Sequence, residues 1–433
     1  MRQGPGREPA LPFAPALAFA AKDGSFLANL EQCNGCGACR KETPAMCPTF
    51  AATGEEIMST RGRANAIRAA LELRGVSDPL RCAELEAALS NCLSCKACTA
   101  ECPSNVNLAL LKAELLGARR RLHGVPARER LISSVDFLGR LGCLAPGVAN
   151  RLLESPLLRR LMGKMFGLTP RRPLPPYAAE RFDRWFARRG PSHGGARGRV
   201  ILWDDTFVRY HEPHIGRAAA AVLEAAGFDV TLAAGRKCCG RPAFSQGCLE
   251  QAAALGRHNL QVLTADGENA PILFLEPSCY SMFAEDYLEL KLPGAEKVKE
   301  RCHLFESFVE NLLAREPGAI RFQAKTQHVA IHAHCHAKSL MDAGFMKRLV
   351  ERLPGRSATL LETGCCGMAG AFGALESKYE LSLKIAQPLI ALLEAQPAGT
   401  VVAASGASCR HQIEHLTARH PRHLAEVLAE ALG

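Results

Sequence analysis

Two cysteine runs of nearly matching spacing constrain this chain more than any other feature. The first places Cys33, Cys36 and Cys39 three residues apart and ends on Cys47-Pro48; the second is Cys92, Cys95, Cys98 and Cys102-Pro103. Three thiolates at that spacing wrap one side of an iron–sulfur cube, while the cysteine before the proline reaches a neighbouring cluster. The spacing therefore predicts two 4Fe-4S clusters. Cross-ligation assigns Cys33, Cys36, Cys39 and Cys102 to the first and Cys92, Cys95, Cys98 and Cys47 to the second. Seven residues, Arg40 to Met46, separate Cys39 from Cys47 where the second run has three, which leaves Cys47 the least firmly defined ligand. Paired zinc knots are the alternative, but a zinc ribbon has little reason to close both runs on Cys-Pro.

The chain holds 19 cysteines in 433 residues, clustered at short spacings instead of spread as in a small disulfide-stapled domain. Metal ligation is the reading, and thiolate ligands favour a reducing compartment. The longest apolar stretch, Ala10 to Ala21, is broken by Pro12 and Pro15 and falls short of the roughly 20 residues a membrane span needs. With Arg2 and Arg7 ahead of it and Ala18, Ala20 and Ala21 near its end, it imitates a signal peptide, yet no twin arginine accompanies it. A cytoplasmic location is expected, with room for peripheral contact at the inner face of the cytoplasmic membrane.

The net charge of +10 is uneven: residues 1–199 hold 30 Lys/Arg against 17 Asp/Glu, and residues 200–433 hold 23 against 26. Arg119 to Arg189 alone has 16 basic and 5 acidic residues. Few aromatics and no recognition motif lie there, so nucleic acid is excluded in favour of an acidic protein face, an anionic membrane surface or a solvated helix face. One helix in this stretch starts at Ser155-Pro156 and carries the apolar stripe Leu157, Leu158, Leu161, Met162 and Met165, a pattern expected to face a core.

The expected architecture is multidomain: an α-helical two-cluster ferredoxin module followed by a duplicated α/β, parallel-sheet, cysteine-rich region. Residues 1–30 read as a leader, 31–118 as the ferredoxin domain and 119–197 as a basic helical connector. Within the ferredoxin domain a helix capped by Asp78 and started by Pro79 runs through Leu85, Ala88 and Leu89. The breaker-rich run Arg189 to Gly195 ends the connector. Residues 198–327 and 328–433 then form two repeats in which short apolar strands alternate with helices. Val200 to Trp203 matches Val329 to Ala333, and Cys238-Cys239-Gly240 matches Cys365-Cys366-Gly367 about 127 positions on. Ile272 to Leu275 followed by Cys279 matches Val401 to Ala404 followed by Cys409.

In the second repeat Cys335, Cys365, Cys366 and Cys409 could hold a third cluster or a metal, with His334, His336 and His411 close in sequence. The first repeat keeps Cys238, Cys239 and Cys279 but has Asp205 or Thr206 where Cys335 stands. Cys82, Cys143, Cys248 and Cys302 fit no pattern and read as ordinary buried cysteines.

The two-cluster module, the intervening Thr60-Arg61-Gly62-Arg63 and the two Cys-Cys-Gly repeats resemble the iron–sulfur subunits of glycolate oxidase and anaerobic glycerol-3-phosphate dehydrogenase. Leu17-Ala18-Phe19-Ala20-Ala21-Lys22-Asp23-Gly24-Ser25 and Cys238-Cys239-Gly240-Arg241-Pro242 are similar to the iron–sulfur half of fused FAD-dependent D-2-hydroxyacid dehydrogenases, of the D-lactate and D-2-hydroxyglutarate type. The resemblance implies an electron-transfer component that works with an FAD-binding dehydrogenase subunit or domain and delivers electrons to a quinone, a cytochrome or another electron-transfer protein. No Gly-x-Gly-x-x-Gly fingerprint follows a strand, so FAD is expected only in the partner, or in a part of a fused enzyme detached from this chain. Two other readings compete. Heterodisulfide reductases resemble the repeats and imply a thiol/disulfide reductase, but they close each repeat on Cys-x-x-Cys, where this chain has Met282 and Gln412. A non-redox metal-binding interaction module would require zinc in place of iron.

Overall fold

Parallel β-sheet begins only after residue 198 in the computed structural model, which describes residues 11–41, 46–72, 78–190, 195–265 and 269–432. Arg2, Arg7, most of the loop between Cys39 and Cys47, and the Pro191–Gly194 part of the breaker run lie outside the described residues. The first sheet has the order β2-β1-β3-β4, from β1 (Arg199–Trp203), β2 (Asp229–Leu232), β3 (Ile272–Phe274) and β4 (Cys302–Leu304), all parallel. The second has the order β6-β5-β7, from β5 (Gln327–Ile331), β6 (Arg356–Leu360) and β7 (Val401–Ala403). Each central strand, β1 or β5, takes the next two strands of its repeat on its two sides. Val200, Ile201, Leu202 and Trp203 are all buried, as an uninterrupted apolar strand covered on both faces by helices requires.

The amino-terminal half is helical among the described residues up to the first strand. The stretch read as a leader packs into the main core: Leu17 and Phe26 are fully buried, and the backbone N–H groups of Ala16 and Leu17 each donate to the buried Glu114 carboxylate at 2.8 Å. The helix expected from Asp78 onward is split. Asp78 accepts from the Leu80 N–H over a 3-10 turn, Pro79–Arg81, and the α-helix Ala83–Ser90 restarts after Cys82, whose backbone is extended. In the Thr60–Glu72 helix a Cβ on Gly62 would lie 1.9 Å from the Glu56 carbonyl oxygen. Only glycine lets that helix sit against the turn before it.

The connector differs most from expectation. Three short helices, Val135–Gly142, Pro146–Glu154 and Pro156–Phe166, follow one another. The Pro156–Phe166 helix forms where the sequence places it, but its stripe is split: Leu157 is 78 %, Leu161 49 % and Met165 61 % exposed, while Leu158 and Met162 are half-buried. Periodicity identifies an apolar face without saying whether the body of the protein lies beneath it.

The two repeats meet over buried polar groups. Glu276 accepts from the Ala407 N–H at 2.8 Å, and Glu306 accepts from the Ser405 hydroxyl. Glu306 is fully buried and its second carboxylate oxygen has no hydrogen-bond partner. Burial pushes its carboxyl up to about 7, against the opposing pull of the Ser405 hydrogen bond. A carboxyl raised in the folded state holds a proton that the unfolded chain has released, so its contribution to stability falls as pH rises from the ordinary carboxylate range through about 7. Glu306→Gln is expected to abolish that decline and to stabilise the fold above neutrality by about 3 kcal/mol. Urea midpoints on both sides of neutrality measure it, and an unchanged difference between the two would contradict it.

Candidate functional site

Both cysteine loops turn through left-handed backbone at matching positions. Gly35 and Gly37 have φ +79° and +77°, and their counterparts Ser94 and Lys96 have φ 52° and 61°. Glycine adopts this region freely, but Ser94 and Lys96 do so at a steric cost, which their surroundings hold in place. Backbone N–H groups from the second turn and from two helix starts point at sulfur. Arg61 N lies 3.3 Å from Cys39 Sγ, Ser94 N lies 3.5 Å from Cys92 Sγ, and the N–H groups of Leu108 and Ala109, opening the Leu108–His123 helix, hydrogen-bond to Cys98. Beside Cys33 a cavity of about 470 Å³ is lined by Asn34, Gly35, Glu56, Arg61, Asn65 and Arg68.

Cys47 stands between the two loops, an electrostatic neighbour of Cys39 on one side and Cys98 on the other. Arg63 is 1 % exposed and donates to Cys47 Sγ at 3.2 Å and to Ala88 O at 2.8 Å. Burial pushes the Cys98 thiol up to about 12. Burial also acts to raise Cys92, but the cations of Lys112 and Arg63 outweigh it and hold that thiol below its ordinary value. Cys36 is exposed, and Cys102 caps the short Ala97–Glu101 helix, its N–H donating to Cys98 O at 3.2 Å. Soft thiol donors, N–H groups aimed at sulfur and a buried guanidinium are the surroundings a cubane iron–sulfur group requires.

The second repeat gathers Cys335, Cys365, Cys366 and Cys409 from three loops at the carboxyl ends of β5, β6 and β7, the end where open α/β sheets bind ligands. Their thiols form a chain of contacts, Cys335 to Cys365 to Cys366 to Cys409. Hydrogen bonding to the neighbouring thiol, then burial, holds Cys335 well above its ordinary value. His332 joins the group: its ligand nitrogen and the sulfurs of Cys366 and Cys409 lie within 4.8 Å of one another. His332 Nδ1 pairs with Thr363 Oγ1 at 2.8 Å, and Nε2 is buried without a partner. Burial pushes this imidazole down to about 3, leaving it neutral and able to ligate.

The first repeat brings together Cys238, Cys239 and Cys279, with the Cys239 and Cys279 sulfurs 3.1 Å apart. Its strand-to-helix turn places Asp205 as the helix cap, accepting from the Phe207 and Val208 N–H groups, just as His334 caps the Cys335–Leu340 helix. Thr206, the first residue of its helix, therefore stands where Cys335 does. Met282 is fully buried and opens a π-helical turn, while Gln412 is fully buried and donates to Ser382 O at 3.3 Å. Neither position offers a thiol. Cys143, Cys248 and Cys302 are buried as expected, whereas Cys82 is partly exposed.

Two contributors escaped the sequence reading. His332 directly follows β5, two residues before His334 and three before Cys335, and only the strand end brings it to the thiols of the later loops. Lys96, given no role by its sequence position between Cys95 and Cys98, is 4 % exposed; its ammonium donates to Ser281 Oγ at 2.9 Å, Glu285 at 2.7 Å and Asp286 at 3.0 Å. His336 faces Ser94 O at 3.1 Å through Nε2, and Lys378 donates to Asn91 Oδ1 at 2.6 Å. Both repeats thus grip the second cysteine loop, and Cys95 becomes an electrostatic neighbour of Cys335 and Cys365.

This arrangement defines an iron–sulfur protein: the chain carries a 4Fe-4S dicluster domain, matched over residues 29–106, and a cysteine-rich domain matched twice, over 206–284 and 329–414. Its relatives are of the kinds the sequence resembles. It is 26 % identical over 308 residues to a subunit of the anaerobic glycerol-3-phosphate dehydrogenase of Escherichia coli, covering 71 % of this chain and 77 % of that protein. It is 25 % identical over 418 residues to the glycolate oxidase iron-sulfur subunit of Escherichia coli, covering 93 % and 94 %. It is 26 % identical over 452 residues to D-2-hydroxyglutarate dehydrogenase of Pseudomonas putida, covering 92 % of this chain but spanning 43 % of that protein.

Proposed function

We propose that this chain is the iron–sulfur electron-transfer component of an FAD-dependent D-2-hydroxyacid dehydrogenase acting on D-lactate, D-2-hydroxyglutarate or glycolate. It carries electrons from a flavoprotein to a quinone, a cytochrome or another acceptor. Cys33, Cys36, Cys39 and Cys102 hold one 4Fe-4S cluster, and Cys92, Cys95, Cys98 and Cys47 hold a second. Cys335, Cys365, Cys366 and Cys409 hold a third cluster, with His332 beside them. Cys238, Cys239 and Cys279, one thiol short, hold none. The bound clusters supply one-electron carriers; the protein fixes their order. The observation that carries this reading is Cys95 lying against Cys335 and Cys365, which puts the second loop and the second-repeat thiols side by side. The relatives named above support the same reading, and the buried Met282 and Gln412 disfavour a heterodisulfide-reductase-like reaction.

Oxidising a hydroxyacid removes a hydride, which a flavin accepts and an iron–sulfur cluster does not. The FAD-free chain, purified without oxygen, is therefore expected to leave D-lactate, D-2-hydroxyglutarate and glycolate unchanged. Adding the flavoprotein should bleach its visible absorbance as one of these substrates is consumed. Turnover by the FAD-free chain alone would refute the proposal.

A further inference from the structure

Among the described residues, ten large hydrophobic side chains are exposed, and eight of them fall between residues 137 and 165. Phe137, Leu141 and Leu144 lie on and just beyond the Val135–Gly142 helix, Val148 and Leu152 on the Pro146–Glu154 helix, and Leu157, Leu161 and Met165 on the Pro156–Phe166 helix. Their exposures run from 49 % to 78 %. Within each helix the spacing is four residues, so each set is a single stripe. The first helix is small on its inner side. A Cβ on Gly139 would lie 2.5 Å from the Tyr210 ring and one on Gly142 2.4 Å from Tyr177, so glycine seats that face on the body while the large apolar side chains point away.

Each stripe carries a basic residue at the same offset. Arg140 follows Phe137 by three positions, Arg151 follows Val148, and Arg160 and Lys164 follow Leu157 and Leu161. All four are exposed, while Glu154 is the one exposed acidic residue from 135 to 166. The outer side chains are aliphatic apart from Phe137 and Met165, and no tyrosine or tryptophan lies among them. Aliphatic stripes edged by arginine and lysine suit a helix lying in the plane of an anionic bilayer, with the chains in the acyl boundary and the cations at the phosphates. We propose that residues 135–166 form a monotopic docking face for anionic phospholipid membranes. This deepens the reading of an electron carrier serving a membrane acceptor and rests on that part of it, but the contact itself is physical and independent of turnover.

The test is flotation of the anaerobically purified, iron-loaded chain with phosphatidylcholine vesicles, with or without phosphatidylglycerol. Binding is expected to the anionic vesicles and to weaken as salt rises. The triple substitution Leu157→Gln, Leu161→Gln and Met165→Gln is expected to reduce partitioning by at least about tenfold, since it removes three apolar anchors. The pair Arg160→Glu and Lys164→Glu should abolish the preference for anionic lipid. Iron content and circular dichroism are expected to stay at wild-type values in both, because these side chains are exposed. Failure of the wild-type chain to float, or flotation of the triple variant as well as wild type, would overturn the proposal. So would loss of flavoprotein binding by the triple variant with vesicle binding intact, which would assign the face to a protein. Iron content and substrate-driven bleaching report the electron-transfer reading separately.

Discussion

Cys95→Ser is expected to remove about four iron atoms and their sulfides from each chain, and Cys366→Ser about four more, out of a total of about twelve. Cys82→Ser and Cys239→Ser should remove none. The contrast rests on position. Cys95 sits in the loop whose left-handed turns at Ser94 and Lys96 mirror those of the first loop, whereas Cys82 only precedes a helix. Cys366 contacts Cys365 and Cys409 and lies near His332, whereas Cys239 shares its sulfur contact with Cys279 at a site where Thr206 replaces the remaining thiol. Iron and acid-labile sulfide assays on anaerobic protein measure each loss. Equal losses from Cys95→Ser and Cys82→Ser, or stoichiometric zinc with negligible iron, would refute the ligand assignment.

Lys96→Met is expected to destabilise the folded chain by about 3–5 kcal/mol, the effect of removing one partner from a buried ionic network. Asp286 is fully buried between the Lys96 ammonium and the Arg241 guanidinium, and both hydrogen-bond to it. Burial acts to raise its carboxyl, but Arg241 and Lys96 outweigh that and hold it below its ordinary value, so it is an anion that needs its cations. The double variant Lys96→Met and Asp286→Asn should cost less than the two single changes added together. Arg171→Ala, which breaks ion pairs with Glu376 and Glu380 at the surface, should leave the denaturant midpoint unmoved. A midpoint for Lys96→Met equal to wild type would show that the loop is held by other means.

The parts of this protein legible in its sequence are those whose meaning is local. The eight ferredoxin-type cysteines announce themselves by spacing, and the strands through Val200, Ile272, Val329 and Val401 by short apolar runs that recur with the Cys-Cys-Gly marks. The short strand β4, Cys302–Leu304, carries little periodic signal in its three residues, and Cys302 reads equally well as ordinary core. Whatever depends on which side of an element meets the rest of the molecule was hidden. The stripe from Leu157 to Met165 has core composition, yet its Leu157, Leu161 and Met165 edge faces outward. Lys96 has surface composition and faces inward, because only the docked first repeat supplies Asp286 and Ser281. His332 gains its thiol neighbours from β6 and β7, which lie many residues away.

The grip on the second cysteine loop also bears on how the protein is made. Cys95 closes over Cys335 and Cys365 while Lys96 and Ser94 are tied to opposite repeats. Breaking those ties to admit an inorganic group would strip Asp286 of its Lys96 cation and leave it with Arg241 alone. If the thiols hold clusters as proposed, delivery of iron and sulfide to the innermost ones is therefore expected to be fastest while the repeats are still undocked. A chain refolded without iron and then given iron and sulfide is expected to recover its absorbance more slowly than one refolded with both present.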